Sequence, residues 1–123
     1  VSGRLAEIVA RIDQANALDP KLERTEFGIE PAALVYGRRM SEVLDQFCPA
    51  ASEELKIAVR GQHIQRWLRP RTDYPEGRDD YLRWRREAAQ YHAATVAGLM
   101  LAAGYDAAAS DRVSSLMLKK NLR

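Results

Sequence analysis

The chain has 123 residues, of which 46% are apolar and 29% are charged, and its formal net charge at pH 7 is +2. This length and composition are typical of one globular domain with a buried core, which excludes disordered and fibrous proteins. No apolar run is long enough to span a bilayer, no charged and apolar leader opens the chain, and the single Cys48 cannot form an internal disulfide. We therefore expect a cytoplasmic protein.

The positive charge is concentrated in one stretch of the chain. Eight arginines and four acids lie between Arg60 and Arg86, whereas the other residues include eleven basic and thirteen acidic side chains. The planar guanidinium group can hold phosphate or carboxylate through two parallel hydrogen bonds. The stretch is either an anion-binding surface or a solvated surface rich in arginine.

The first predicted helix is capped by Ser2 and ends near Ala17. Apolar residues follow helical spacing at Leu5, Ile8, Val9 and Ile12. Asp19-Pro20 breaks this helix, and the charged stretch up to Glu30 is predicted to be a loop. Pro31 then suits the first turn of a second helix that runs to about Phe47. Its predicted buried side comprises Leu34, Val35, Met40, Val43, Leu44 and Phe47.

The stretch Leu55–Arg71 is predicted to form a third helix at the centre of the fold. Ser52 caps this helix, and two acids follow in its first turn. Wound as a helix, the stretch is apolar on two sides, which indicates that other helices surround it. One stripe comprises Leu55, Val59, His63 and Trp67, and the other comprises Ile57, Gly61, Ile64 and Leu68. Two prolines and a glycine predict a loop between Leu68 and Gly77.

The fourth helix is predicted to begin at Asp79 or Asp80 and to end at Ala103, before Gly104. One face is apolar except for Arg85 and His92, so both are expected to point inward; this face comprises Tyr81, Arg85, Ala88, His92, Thr95, Val96, Leu99 and Ala103. A fifth helix, capped by Asp106 or Ser110, is predicted to bury Val113, Leu116 and Met117. The sequence has no alternating strand pattern. The predicted fold is therefore all-α, a single bundle of about five helices.

The two histidines, His63 and His92, are expected to approach each other on packed helices. Such a pair can serve as metal ligands, as an acid and a base, or as phosphate partners, and each can equally be a hydrogen-bonded core residue. An inward Arg85 needs an internal acid, a ligand phosphate, or access to the rim of the bundle.

Aromatic side chains alternate with arginines in the same stretch, where they could stack on a nucleobase or belong to the core. No zinc, P-loop or dinucleotide motif is present. The candidate catalytic residues, which are also weak metal-ligand candidates, are His63 and His92. The candidate ligand-binding residues are Gln62, Arg66, Trp67, Arg71, Tyr74, Trp84 and Arg85.

Several motifs resemble the uncharacterised family called domain of unknown function 4202. They are QHIQRWLRPRTDYP at residues 62–75, YLRWR at 81–85, YHA at 91–93, LVYGRRM at 34–40, RIDQANALDP at 11–20 and AGYD at 103–106. The resemblance covers essentially the whole chain, but the family has no assigned activity. Because family members continue into a further helix, the resemblance implies that residues 1–123 lack a C-terminal helix of the full-length protein.

The helix order also resembles the HD superfamily of metal-dependent phosphohydrolases. In that resemblance His63 matches the histidine of the metal-binding His-Asp pair, but Ile64 stands in place of the aspartate. His92 matches a later histidine, and no histidine lies near residues 36–40, where the first ligand is expected. The resemblance therefore implies a degenerate HD-type pocket without the standard metal site.

Three functional hypotheses remain open. The first is a basic, aromatic pocket that binds a phosphorylated small molecule or a nucleotide, with RNA as a further candidate. The second is a degenerate HD-type phosphohydrolase with a divalent metal as cofactor, in which His63 and His92 act with a carboxylate; the candidates are Glu54, Asp73, Asp79 and Asp80. The third is a purely structural or interaction domain, in which neighbouring protein groups satisfy Arg85 and His92. No membrane partner is expected.

Overall fold

The computed structural model describes residues 3–119, which are mostly helical, as predicted. The α-helices are α1 (Gly3–Asn16), α2 (Ala32–Phe47), α3 (Glu53–Arg60), α4 (Arg78–Ala102) and α5 (Ala107–Met117). Two short 3-10 turns, Arg66–Leu68 and Arg71–Asp73, lie between α3 and α4. A single small sheet is formed by strands β1 (Leu22–Thr25) and β2 (Gly28–Pro31). No helix within residues 3–119 is long and apolar enough to cross a membrane.

Most helix ends lie close to their predicted positions because local side chains satisfy the free backbone groups. The Ser52 hydroxyl accepts a hydrogen bond from Leu55 N at 3.1 Å, and the Asp106 carboxylate accepts one from Ala109 N at 2.8 Å. These contacts confirm the Ser52 cap and select Asp106 over Ser110 at the start of α5. Gly104, with a φ of +100°, follows the end of α4. Ser2 lies outside the described residues.

The loop predicted up to Glu30 is instead largely a hairpin, in which Leu22 pairs with Pro31 and Thr25 with Gly28. Its strands have only four residues each and are largely exposed, so their sequence shows no alternation of apolar and polar residues. The buried Asp19 connects the hairpin to α2. Its carboxylate accepts hydrogen bonds from Lys21 N and, across the hairpin, from Ala33 N.

The third helix is shorter than predicted and ends at Arg60, so His63 lies on a turn rather than on a helix. Gly61, directly after this end, lets α4 pack closely, because a Cβ atom at its position would lie 2.6 Å from Val96 Cγ2. Gln65 has a left-handed backbone with a φ of +53°. The helical spacing of apolar residues beyond Gly61 therefore does not indicate a continuing helix: Ile64 is buried in the turn, whereas Leu68 is exposed.

The core lies between α1, α3, α4 and α5. Its fully buried side chains include Ile8, Ile12, Ile57, Ile64, Val96, Met100 and Val113. Helix α2 packs mainly against α3, and its buried residues, Ala33, Val35 and Gly37, all lie in its N-terminal half. Several positions predicted to be buried are exposed instead: Val43, Phe47, Leu68, Tyr81, Arg85 and Leu116.

Helix α4 extends beyond the bundle. It has 25 residues, and its buried side chains, His92, Ala93, Val96 and Met100, all belong to its C-terminal half. Arg85 lies on the same side of the helix as His92, but the bundle does not reach that far, so Arg85 is exposed. The prediction that Arg85 points inward was therefore wrong.

Candidate functional site

The structure brings the two histidines together. His63 lies on the turn after α3, and His92 projects from the middle of α4. Their rings are stacked, with centroids 5.8 Å apart and an interplanar angle of 24°. The ring of Tyr36, on α2, also contacts His63, with its centroid 5.1 Å from that of the imidazole. Three separate elements therefore contribute rings to one cluster.

Hydrogen bonds from two helices hold the turn that carries His63. The buried Asn16, at the end of α1, accepts a hydrogen bond from Gln65 N at 2.9 Å. The Gln65 side chain accepts one from the Tyr91 hydroxyl at 3.1 Å. The carbonyl of Ile64, whose side chain is fully buried, lies 2.7 Å from His92 Nδ1. The position of His63 is thus fixed by α1 and α4 together.

His92 is oriented by its backbone contact. Because a carbonyl oxygen only accepts, Nδ1 of His92 carries a proton and donates it to Ile64 O, and Nε2 of the neutral ring is left as an acceptor. The pKa of His92 is lowered to about 4, mainly by burial and to a smaller extent by the neighbouring His63, Arg66 and Arg69, whereas the Ile64 contact opposes this shift. His92 is consequently neutral at physiological pH.

His63 differs in having no hydrogen bond to any described residue. Its pKa is lowered by burial and by the charges of Arg66 and Lys119. Every buried side-chain nitrogen or oxygen in the described part of the chain has a hydrogen-bond partner. The ring nitrogens of His63 and Nε2 of His92 form no hydrogen bond to a described residue.

The charges around this pair are positive. Arg66, Arg69 and Lys119 influence one or both histidines, and no carboxylate contributes to either pKa shift. None of the three bases forms an ion pair within residues 3–119, although the Arg69 guanidinium lies 4.4 Å from the centre of the Tyr91 ring. Elsewhere arginines do pair with acids, at Arg38–Glu30, Arg60–Asp13 and Arg112–Glu54 among others. We name the group His63, His92, Tyr36, Arg66, Arg69 and Lys119 the histidine site.

Other residues predicted for the pocket instead hold the loop before α4. Arg71 donates hydrogen bonds to the carbonyls of Tyr74, Pro75 and Gly77 at 3.2, 2.8 and 3.3 Å. The Tyr74 hydroxyl is hydrogen-bonded to Glu87. The Trp84 indole donates to Arg69 O at 2.7 Å. These contacts fasten the loop along α4, so the polar groups of Arg71, Tyr74 and Trp84 are already in use.

The remaining predicted residues have different surroundings. Gln62 and Trp67 are half-buried on either side of the turn, next to His63 and Arg66 in the chain. Arg85 is exposed, with its guanidinium 5.9 Å from the centre of the Tyr81 ring. Tyr36, Arg69 and Lys119 were not predicted from the sequence. The sequence offered two signals that could have pointed to them: Arg69 lies in the arginine-rich stretch, and Tyr36 lies in the motif LVYGRRM.

For a metal ion, the histidine site offers only the imidazole nitrogens of His63 and His92 as ligands. No group of three or more His, Cys, Asp or Glu residues within residues 3–119 is placed to hold a metal ion. Among the carboxylates considered for this role, Glu54 pairs with Arg112 and Asp80 with Arg83. Asp73 and Asp79 are exposed.

Two surface clefts lie away from the histidines. The larger, about 490 Å³, lies where α1, α3 and α5 begin, and is lined by Arg4, Ser52, Glu53, Glu54, Tyr105, Asp106, Ala109 and Arg112. Its acids already have partners, including the Tyr105 hydroxyl 2.7 Å from Glu53. The smaller, about 320 Å³, lies between the hairpin and α2 and is lined by Thr25, Glu26, Phe27, Arg38, Arg39 and Glu42.

Comparison with known proteins gives one match. The family model described as "Domain of unknown function (DUF4202)" matches residues 6–123. No curated protein and no solved structure matches the chain.

Proposed function

The chain belongs to the family described as domain of unknown function (DUF4202), and from the geometry we propose that it binds a phosphorylated small molecule or nucleotide at the histidine site. The observation that carries this proposal is a pair of stacked imidazoles among three bases that form no ion pair within residues 3–119. Such a site attracts an anion and offers it hydrogen-bond donors.

Phosphate fits this site better than a single carboxylate does. Arg66 and Arg69 can each direct two parallel N–H groups at oxygen atoms, and a phosphate group has enough oxygens for both. Nε2 of His92, as an acceptor, can take a hydrogen bond from the hydroxyl of a protonated phosphate. A bound dianion would also favour the protonated form of His63, which the two neighbouring bases oppose in the free protein.

Aromatic residues next to the site support a nucleotide as one form of the ligand. Tyr36 packs against His63, and Trp67 follows Arg66 directly in the chain, and both are half-buried. Two aromatic side chains next to the site favour a ligand whose organic part can stack, such as an aromatic base.

Thermal melts test the proposal. We expect inorganic phosphate or adenosine monophosphate to raise the melting temperature of the protein, because a ligand that binds only the folded state stabilises it. Arg66→Gln should remove most of this shift and leave the unliganded melting temperature unchanged, since Arg66 is exposed and forms no ion pair with a described residue. Sodium chloride at matched ionic strength corrects for general salt effects.

Arg24→Gln is the matched control, because Arg24 is another exposed arginine without an ion pair in the described chain and lies on the hairpin. Its phosphate shift should equal that of the unaltered protein. An unaltered protein that shows no shift beyond the chloride control, or an equal loss in both variants, would refute the proposal.

A further inference from the structure

The part of α4 that extends beyond the bundle has more arginines than acids, and three of its arginines form no described ion pair. Arg78, Arg85 and Arg86 are exposed there, and none of them forms an ion pair within residues 3–119. Of the acids in the same half-helix, Asp79 is exposed and forms no ion pair within residues 3–119. Asp80 pairs with Arg83, and Glu87 bonds to Tyr74 on the side that holds the loop.

This charge is aligned with the histidine site. Arg78, Arg85 and His92 recur every seven residues, so each successive side chain is displaced by only about 20° around the helix. Along the axis they are spaced by roughly 10 Å. We name Arg78 and Arg85, with the adjacent Arg86, the arginine stripe, which leads along α4 towards the histidine pair.

An aromatic side chain borders the arginine stripe. Tyr81 is 42% exposed, and the guanidinium groups of Arg71 and Arg85 each lie 5.9 Å from its ring centre. The exposed Tyr81 ring is a platform on which a base can stack, while Arg85, whose guanidinium forms no described ion pair, attracts the adjoining phosphate. Leu82, which is 40% exposed on the same side, adds apolar surface.

We propose that the arginine stripe binds single-stranded nucleic acid, one phosphate of which occupies the histidine site. This inference rests on the proposed function and extends it from one phosphate to a strand. A line of cations along one helix matches the repeating charge of a sugar–phosphate backbone. An acidic peptide would match the charge as well, but it would make no use of the stacking surface on Tyr81.

Fluorescence anisotropy with a labelled oligouridine of about twelve nucleotides tests the inference. We expect Arg78→Gln/Arg85→Gln to weaken binding at least about tenfold at low salt and to reduce the slope of log K against log salt by about 1.4, since each phosphate contact in a single strand contributes about 0.7. The matched control is Lys21→Gln/Arg24→Gln, which removes two exposed charges from the hairpin and its approach. This control should change the affinity less than about twofold.

A second arm separates this inference from the proposed function. The thermal shift produced by adenosine monophosphate should be the same in Arg78→Gln/Arg85→Gln as in the unaltered protein. An oligonucleotide that binds no tighter than the mononucleotide, or that weakens equally in both double variants, would overturn the inference and leave the phosphate site standing. Equal competition by polyglutamate of the same charge would overturn the choice of nucleic acid. If the oligonucleotide binds through the stripe but phosphate and mononucleotide give no shift, the proposed function fails, and so does the placement of a phosphate at the histidines.

Discussion

Hydrogen bonding separates the two histidines, although both lie in the same ring cluster. His92 is buried and its orientation is fixed by Ile64 O, whereas His63 has ring contacts with Tyr36 and His92 but no hydrogen bond to a described residue. His92 is therefore suited to position the pair, and His63 to contact a ligand. The same principle accounts for Arg71, which donates to three carbonyls and is not available to an anion. A residue type predicts possible chemistry, and its hydrogen-bond partners decide whether that chemistry is available.

The pKa of His92 predicts how stability depends on pH. Burial lowers this pKa from 6.5 to about 4 in the folded chain, so the unfolded chain binds a proton first as the pH falls. The stabilisation is fully present above pH 6.5 and is lost as the pH falls towards about 4, by up to about 3 kcal/mol. We expect His92→Asn, whose amide can still donate to Ile64 O, to lose less stability than the unaltered protein over this range.

Urea unfolding at several pH values measures this difference. Carboxylates titrate in the same range in both proteins, so their contribution cancels in the comparison. The His92 ring signals in an NMR titration provide a direct check on the pKa. Identical pH slopes for the two proteins would contradict the prediction.

At the level of secondary structure, local signals were read correctly and long-range packing was not. Ser52, Asp106 and Gly104 end or begin helices through bonds and dihedral angles within a few residues, so their roles could be predicted from the sequence. The early end of α3 at Arg60 could not be predicted, and neither could the close contact of the next residue, Gly61, with Val96, which lies 35 residues later in the chain. The exposure of Arg85 depends on how far the neighbouring helices extend.

Gly61→Ala tests the close contact between the turn and α4. The new methyl group would lie 2.6 Å from Val96 Cγ2, and Val96 is fully buried and β-branched, so it cannot turn away freely. We expect a destabilisation of about 1–3 kcal/mol, as for other overpacked cores. Equilibrium unfolding of Gly61→Ala, Val96→Ala and the double variant measures it.

The double variant should be more stable than the sum of the two single effects predicts, since Val96→Ala removes the clashing atom. Gly98→Ala is the matched control: its Cβ atom would meet nothing within 4 Å, so this change should stabilise α4 by up to about 1 kcal/mol. Strict additivity at positions 61 and 96 would show that the contact is not the cause.

For the molecule as a whole, the histidine site is a product of the tertiary fold. Its turn is held by α1 through Asn16 and by α4 through Tyr91 and His92, while Tyr36 comes from α2. The sequence predicted that the histidines could meet, because each lies among apolar residues. It could not predict Asn16, which reaches Gln65 across 49 positions of the chain. Nor could it separate the arginines near the histidines from those that hold the loop.

Asn16→Leu tests whether the fold positions the site through this single bond. Leucine keeps much of the side-chain volume but removes the oxygen that accepts the hydrogen bond from Gln65 N. The amide of Gln65, a residue with a left-handed backbone, then needs water as its partner. We expect the Gln65 amide to exchange with solvent at least about tenfold faster, and the phosphate-induced thermal shift to decrease, because the turn that carries His63 is released. The amide of Gly61, which donates to Ile57 O at 3.0 Å, is the internal reference. If the exchange of both amides accelerates equally, Asn16 contributes only to global stability. If only the Gln65 amide exchanges faster and the phosphate-induced thermal shift persists, the site does not depend on the bond to α1.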